Sequence, residues 1–187
     1  MPPSEHLYDW PDRFVAGAVG EPGNRTFFLQ IETPGEVVSV SLEKQQVAQL
    51  ADKIDEVLDQ LAAEDGNPFH IPDEAAPELV DDEPLRQPVR DFFRVGQINL
   101  GWDPSLSQIV LDLFSIVELD ADLVEPSMLV AGDLELLADA MVRVRIPVGT
   151  ARAFAQRAQA VVAAGRPTCV FCGEPMTADH DCALPDL

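Results

Sequence analysis

The stretch VSVSLEKQQVAQLADKI, residues 38–54, decides the fold because its periodicity changes within it. Its first five residues alternate apolar and polar side chains, which is the pattern of a half-buried strand. After Leu42 the apolar side chains recur every three or four positions, as in a helix with one buried face. We therefore predict a strand that leads into a helix, with Val38, Val40 and Leu42 on the buried face of the strand.

A second stretch, VRVRIPVGTARAFAQRA at residues 142–158, shows the same change of period. Its alternation places Val142, Val144 and Ile146 on one face of a strand. The buried positions predicted for the two helices are Val47, Leu50, Ala51, Ile54, Leu58 and Leu61 in the first stretch, and Ala151, Phe154, Ala155, Ala158 and Val162 in the second.

The residues before each stretch also match. Residues 13–20 and 25–32 are two apolar runs around a Gly- and Pro-containing turn, and residues 93–101 and 107–117 repeat this pattern. Both pairs are typical of β-hairpins. We predict an α+β fold made of pseudo-duplicated β-β-β-α halves, which form an antiparallel sheet with packed helices, plus a small C-terminal zinc-binding tail. The alternative is that α+β chains show such elements by chance.

The predicted divisions are residues 1–65 (first half), 66–90 (an acidic, Pro-rich connector), 91–166 (second half) and 167–187 (the tail). The connector has no sustained periodicity, so we expect a long exposed connection. The second half carries an insertion at residues 118–140, in which Gly132 and Asp133 are expected to open a short helix.

The net charge disfavours several classes of partner. The 187 residues include 33 Asp and Glu against 12 Lys and Arg, a formal net charge of -21. Such a field repels phosphate backbones and anionic lipids, so nucleic-acid binding is disfavoured, whereas a basic protein partner fits. The sequence has no apolar run long enough for a membrane span and no secretory signal, and its three cysteines are clustered. We expect a cytoplasmic protein.

The cysteine cluster CVFCGEPMTADHDC predicts a zinc site. Cys169 and Cys172 form a C-x2-C pair followed by glycine, and His180 and Cys182 come shortly after. Four such ligands close the coordination of zinc, which is typical of one structural Zn²⁺. The alternative is a redox pair, but a redox C-x-x-C usually begins a helix, whereas Gly-Glu-Pro indicates a turn here.

Residues 141–172 contain no acid, and the strand alternation places Arg143 and Arg145 together on the face opposite the core. They are candidates for binding an anion, such as a phosphate or a carboxylate metabolite. The other interpretation is pairing with the acidic connector or with the first half.

The sequence contains none of the common nucleotide-binding, metalloprotease or hydrolase motifs. One polar set near the first strand and one in the second hairpin are possible linings of a cleft. These residues are Asp9, Trp10, Asp12 and Arg13, and Asn99, Trp102 and Asp103.

The segments YDWPDRFVAGAVGEPGNRTFFLQIE, FRVGQINLGW and GRPTCVFCGEPMTADHDC carry a resemblance to a family of actinobacterial proteins of unknown function. The resemblance implies a cytoplasmic protein with a CxxCG…HxC zinc-type cluster and brings no activity. Our leading hypothesis is a binding or adaptor module with a structural zinc. We favour this class over an enzyme. The alternative is an enzyme that acts on a small anionic substrate in a cleft between the halves.

Overall fold

A computed structural model describes residues 3–117 and 138–165, in which seven strands and two α-helices are found. The strands are β1 (Ser4–Asp9), β2 (Arg13–Val19), β3 (Thr26–Thr33), β4 (Glu36–Leu42), β5 (Asp91–Asp103), β6 (Gln108–Ser115) and β7 (Ala140–Pro147). The helices are α1 (Lys44–Ala62) and α2 (Val148–Ala163), and a short 3-10 turn spans Pro77–Leu79. The predicted α+β class is confirmed. The predicted helix at Gly132 and the zinc tail lie outside the described residues.

All seven described strands form one sheet in the order β1-β7-β6-β5-β4-β3-β2. Within each half the neighbouring strands are antiparallel, as predicted. However, β4 pairs parallel with β5, and β1 pairs parallel with β7, so the sheet is mixed rather than wholly antiparallel. The central pair is parallel because α1 and the connector return the chain to the same end of the sheet before β5 begins. The order of three strands and a helix occurs twice, but duplication itself stays a prediction.

Both helices pack on one face of the sheet, where the alternating residues of the strands form the main core. The predicted apolar faces of β4 and β7 lie in this core, although Val38 is only half-buried. The ring of Phe14 on β2 stacks on that of Phe154 on α2, with their centroids 4.5 Å apart. Each buried side chain of this size contributes roughly 1.5–3 kcal/mol of hydrophobic stabilisation. The core-facing residues of α1 are Val47, Leu50, Ala51, Ile54 and Leu58, and those of α2 include Ala151, Phe154, Ala155 and Ala158.

The connector is not simply the exposed connection that we expected. Most of its residues are exposed, but Ile71 is buried in the main core, and Leu85 is buried with Val15 and Phe28 on the opposite face of the sheet. Leu85 therefore attaches this acidic, Pro-rich segment to the outer face of the first half, whereas Ile71 anchors an earlier part of it in the main core.

Gln30 supplies the polar part of this attachment. Its side chain is buried on β3, where its amide nitrogen donates to the Ser39 hydroxyl (3.1 Å) and to the backbone oxygen of Arg86 (3.2 Å). The backbone N–H of Arg86 donates in return to the Gln30 amide oxygen, at 2.7 Å. Every polar atom of this buried side chain is therefore used, as the burial of an amide requires.

We predict that Gly17→Ala destabilises the protein, because a Cβ at this position would lie 2.5 Å from Cγ of Leu85. Overpacking of this kind costs about 1–3 kcal/mol, which would appear in the free energy of unfolding measured with urea. Gly101→Ala is the matched control, since its Cβ would meet the Val110 side chain at an ordinary 3.7 Å. Equal stability of the two variants would contradict the packing of Leu85 against β2.

Candidate functional site

The four predicted zinc ligands, Cys169, Cys172, His180 and Cys182, all lie outside the described residues. Among residues 3–117 and 138–165, no group of three or more His, Cys, Asp or Glu side chains is arranged to hold a metal ion. The zinc site therefore stays a prediction from the sequence.

Arg143 lies on the outer face of β7, away from the helices, and is paired with a carboxylate on the next strand. Asp112 on β6 stands opposite it in the register. The Nε and Nη2 atoms of Arg143 donate to the two oxygens of Asp112, at 2.6 and 2.7 Å. These hydrogen bonds raise the pKa of the Arg143 guanidinium. Its partner thus comes from the same half, not from the connector or the first half.

Arg145, two residues further along β7, is held less closely. Its Nε lies 3.7 Å from Oδ1 of Asp9, which is beyond hydrogen-bonding distance, and this nitrogen is buried without a hydrogen-bond partner. The hydrogen bond from the Ser105 hydroxyl is the main cause of the lowered pKa of Asp103, and the charge of Arg145 lowers it further. The structure thus brings both predicted arginines to one face, but each is already close to a carboxylate.

The face around these two arginines is acidic in sum. Besides Asp112, Asp9 and Asp103, the Glu5 carboxylate acts electrostatically on Arg143. Four carboxylates therefore face two guanidinium groups. A free anion would have to displace Asp112 from Arg143, so this geometry gives little help to anion binding.

A second cluster of charges joins three distant parts of the chain, and the sequence did not reveal it. Arg13 at the start of β2 and Arg157 on α2 both donate to the Asp81 carboxylate of the connector. The Arg13 Nη2 and Arg157 Nη1 atoms reach the same oxygen, Oδ1, at 3.0 and 2.9 Å. Arg157 also donates to the backbone oxygens of Ala16 (2.8 Å) and Glu83 (2.7 Å). This cluster of Arg13, Asp81 and Arg157, which we call the clamp, holds the connector against the edge of the sheet.

Burial sets the electrostatics of this clamp. The Arg13 side chain is 7% exposed and that of Asp81 is 27% exposed. The hydrogen bond from Arg13 holds the pKa of Asp81 below its ordinary value of 3.8. Desolvation lowers the pKa of Arg157, and the Asp81 charge partly offsets this effect. Asp81 therefore stays ionised and compensates two cations that have been removed from water.

A cavity of about 390 Å³ adjoins the clamp, and its lining shows which predicted cleft residues meet. Asp12 and Arg13 line it, as proposed for the polar set near the first strand, together with Thr150 and Phe154. The other members of both polar sets, Asp9, Trp10, Asn99, Trp102 and Asp103, are not among its lining residues. The cavity thus combines polar residues of β2 and the connector with the buried face of α2.

Residues 6–182 match a family described as "Protein of unknown function (DUF3090)". The chain belongs to the DUF3090 family. No curated protein and no solved structure matches the chain.

The match runs from His6, within β1, to Cys182 and therefore includes the predicted zinc ligands. The family description names no metal, organism or activity, so these remain proposals. No described helix has the length and apolar character needed to cross a membrane.

We predict that Asp81→Asn destabilises the fold, because it leaves Arg13 and Arg157 buried without a carboxylate. The expected loss is about 1–3 kcal/mol at pH 7, measured as the free energy of unfolding in urea. Asp82→Asn is the control, since this neighbouring carboxylate only acts on Arg157 from a distance.

The same pair of proteins gives a pH test. A carboxyl group whose pKa is lower in the folded state stabilises the fold above its unfolded pKa and loses this effect as the pH falls through its folded pKa. The difference between wild type and Asp81→Asn should therefore be full above about pH 4 and shrink at more acidic pH. A difference that grows on acidification would contradict the clamp.

Proposed function

We propose that this DUF3090 protein is a binding module, or adaptor, whose C-terminal segment is held by one structural zinc ion. The observation that supports binding is the exposure of large apolar side chains on β1 and next to it. Leu7 is 59% exposed and Trp10 is 58% exposed. Phe92, which is 46% exposed, places its ring 4.8 Å from that of His6 on β1. Three large apolar side chains exposed on or beside one strand are the basis of the proposed binding role.

The pairing of the arginines also favours binding over catalysis. Arg13, Arg143, Arg152 and Arg157 all donate to carboxylates of the same chain. The alternative, an enzyme that acts on a small anionic substrate between the halves, would need such groups available to a ligand. The halves are joined in a continuous sheet by β4 and β5. The two arginines that line the cavity between β2 and α2, Arg13 and Arg157, are both paired with Asp81.

The proposed zinc ligands are Cys169, Cys172, His180 and Cys182. Their spacing supplies four ligands of the types that zinc prefers, so no coordination position is left for a substrate. At such sites the free energy of metal binding contributes directly to the free energy of folding. We therefore assign the zinc the role of ordering the C-terminal segment, and we place the protein in the reducing cytoplasm, where thiols persist.

We predict one zinc per chain, measured by elemental analysis of protein purified without added metal. Cys172→Ser and His180→Asn should each reduce the zinc content strongly. His70→Asn is the matched control, because His70 has a positive φ of 53°, which asparagine accepts readily. Wild-type protein without zinc and with three titratable thiols would contradict the proposed site.

The binding role is tested by affinity purification from the cells that naturally contain the protein. The double variant Leu7→Ser/Trp10→Ser should lose a partner that wild type retains, because two exposed apolar side chains are removed. Leu106→Ser is the control, since Leu106 is 51% exposed on the β5–β6 turn. Partners retained equally by all three proteins, or no partner with wild type, would argue against binding through this surface.

A further inference from the structure

The two edges of the described sheet differ. At the β2 edge, Arg157 from α2 donates to the backbone oxygen of Ala16, and the same side chain holds Asp81 and Glu83 of the connector beside the strand. At the other edge, no described strand lies beyond β1. Among residues 3–117 and 138–165, the first edge is thus covered by the protein's own chain, whereas no strand pairs with the second.

The hydrogen bonds of β1 show which backbone groups face this open edge. The N–H groups of Ser4 and Trp10 donate to the backbone oxygens of Asp139 (2.9 Å) and Arg145 (3.1 Å), on the β7 side. Along a parallel pair of strands, only alternate residues bond to the same neighbour. Glu5, Leu7 and Asp9 therefore direct their N–H and C=O groups towards the open edge.

The same three residues expose their side chains, so the edge presents an acidic, an apolar and an acidic residue in turn. Charges on an edge strand prevent pairing with most strands. These charges also select the partner strand. A strand with opposite charges directly across from them is favoured, and one with like charges is disfavoured. In the part of the chain that the structure describes, this edge therefore has no neighbouring strand, and its side chains favour some partner strands over others.

We propose that β1 is the docking site for an extended segment of a partner protein, which adds to the sheet as an eighth strand. The segment carries Lys or Arg opposite Glu5 and Asp9, and an apolar residue opposite Leu7. The net charge of -21 further attracts a basic segment towards the protein. This inference rests on the proposed binding role and gives it a geometry and a partner chemistry.

A second copy of the chain fits this edge poorly. Antiparallel pairing of two β1 strands centred on Leu7 would place Glu5 of each copy opposite Asp9 of the other. Like charges directly across a sheet are destabilising, and the two copies would also bring together two net charges of -21. A basic partner removes both penalties.

The test uses the synthetic peptide acetyl-TKTVTKT-amide, which has two lysines and a valine on one face, and the full-length protein. Binding is followed by amide chemical shifts in NMR titrations at physiological salt. We expect saturable shifts centred on residues 4–10 and at least tenfold weaker binding of acetyl-TETVTET-amide. Equal binding of the two peptides, or shifts centred elsewhere, would overturn the proposal.

Two protein variants separate strand addition from general charge attraction. Leu7→Pro removes an N–H at the open edge but none of the bonds to β7, so the fold should persist while peptide binding falls at least tenfold. Glu5→Lys/Asp9→Asn keeps the backbone groups and should reduce the preference for the basic peptide at least tenfold. Undiminished binding to both folded variants would show attraction by net charge alone and overturn the proposal.

The outcomes also distinguish this inference from the proposed binding role. Loss of a cellular partner in Leu7→Ser/Trp10→Ser, without any binding of the basic peptide, would keep the binding role and reject strand addition. A wild-type dimer in analytical ultracentrifugation that becomes monomeric in Leu7→Pro would instead identify a second copy as the occupant, and this result too would overturn the proposal. Failure of both the partner and the peptide experiments would reject both ideas.

Discussion

Residues 10–12 carry the chain from one edge of the sheet to the other, and this short link constrains the shape of the protein. Consecutive Cα atoms are 3.8 Å apart, so Asp9 and Arg13 are separated by at most about 15 Å. Seven strands side by side in a flat sheet would span about 29 Å. The sheet must therefore curl until its edges approach each other. Trp10, at a positive φ of 55°, makes the turn at the end of β1.

Contacts made by the inner face of β1 agree with this curl. Although β1 is three places from β5 in the sheet, the ring of His6 lies 4.8 Å from that of Phe92 at the start of β5. Burial raises the pKa of Tyr8, and the Glu36 carboxylate at the start of β4 raises it further. The interior of the curled sheet is filled by α1 and α2, which are joined by ion pairs from the buried Arg152 to Asp55 and Asp59.

The sequence predicted those elements whose apolar pattern is strong and local. β4, α1, β7 and α2 were found because a period of two changes to a helical period within each stretch. β1 was missed, since it is short and places only His6 and Tyr8 towards the interior. The pattern assigned Arg143 to the correct face, but its pairing with Asp112 depends on the register between β6 and β7. The clamp was beyond sequence reasoning, because Asp81 is 68 residues from Arg13 and 76 from Arg157.

The order of the strands explains why β1 is the last described strand at its edge of the sheet. From β2 to β7 the sheet follows the sequence, and the third strand of the first half pairs parallel with the first strand of the second half. β1 pairs parallel with β7 in the same way. It therefore occupies the position that the first strand of a further β-β-β-α unit would take. In the second half, the first strand, β5, pairs antiparallel with the next strand, β6. A segment added antiparallel to β1 would therefore continue an arrangement that the sheet already contains, whereas the clamp at β2 prevents the same extension at the opposite edge.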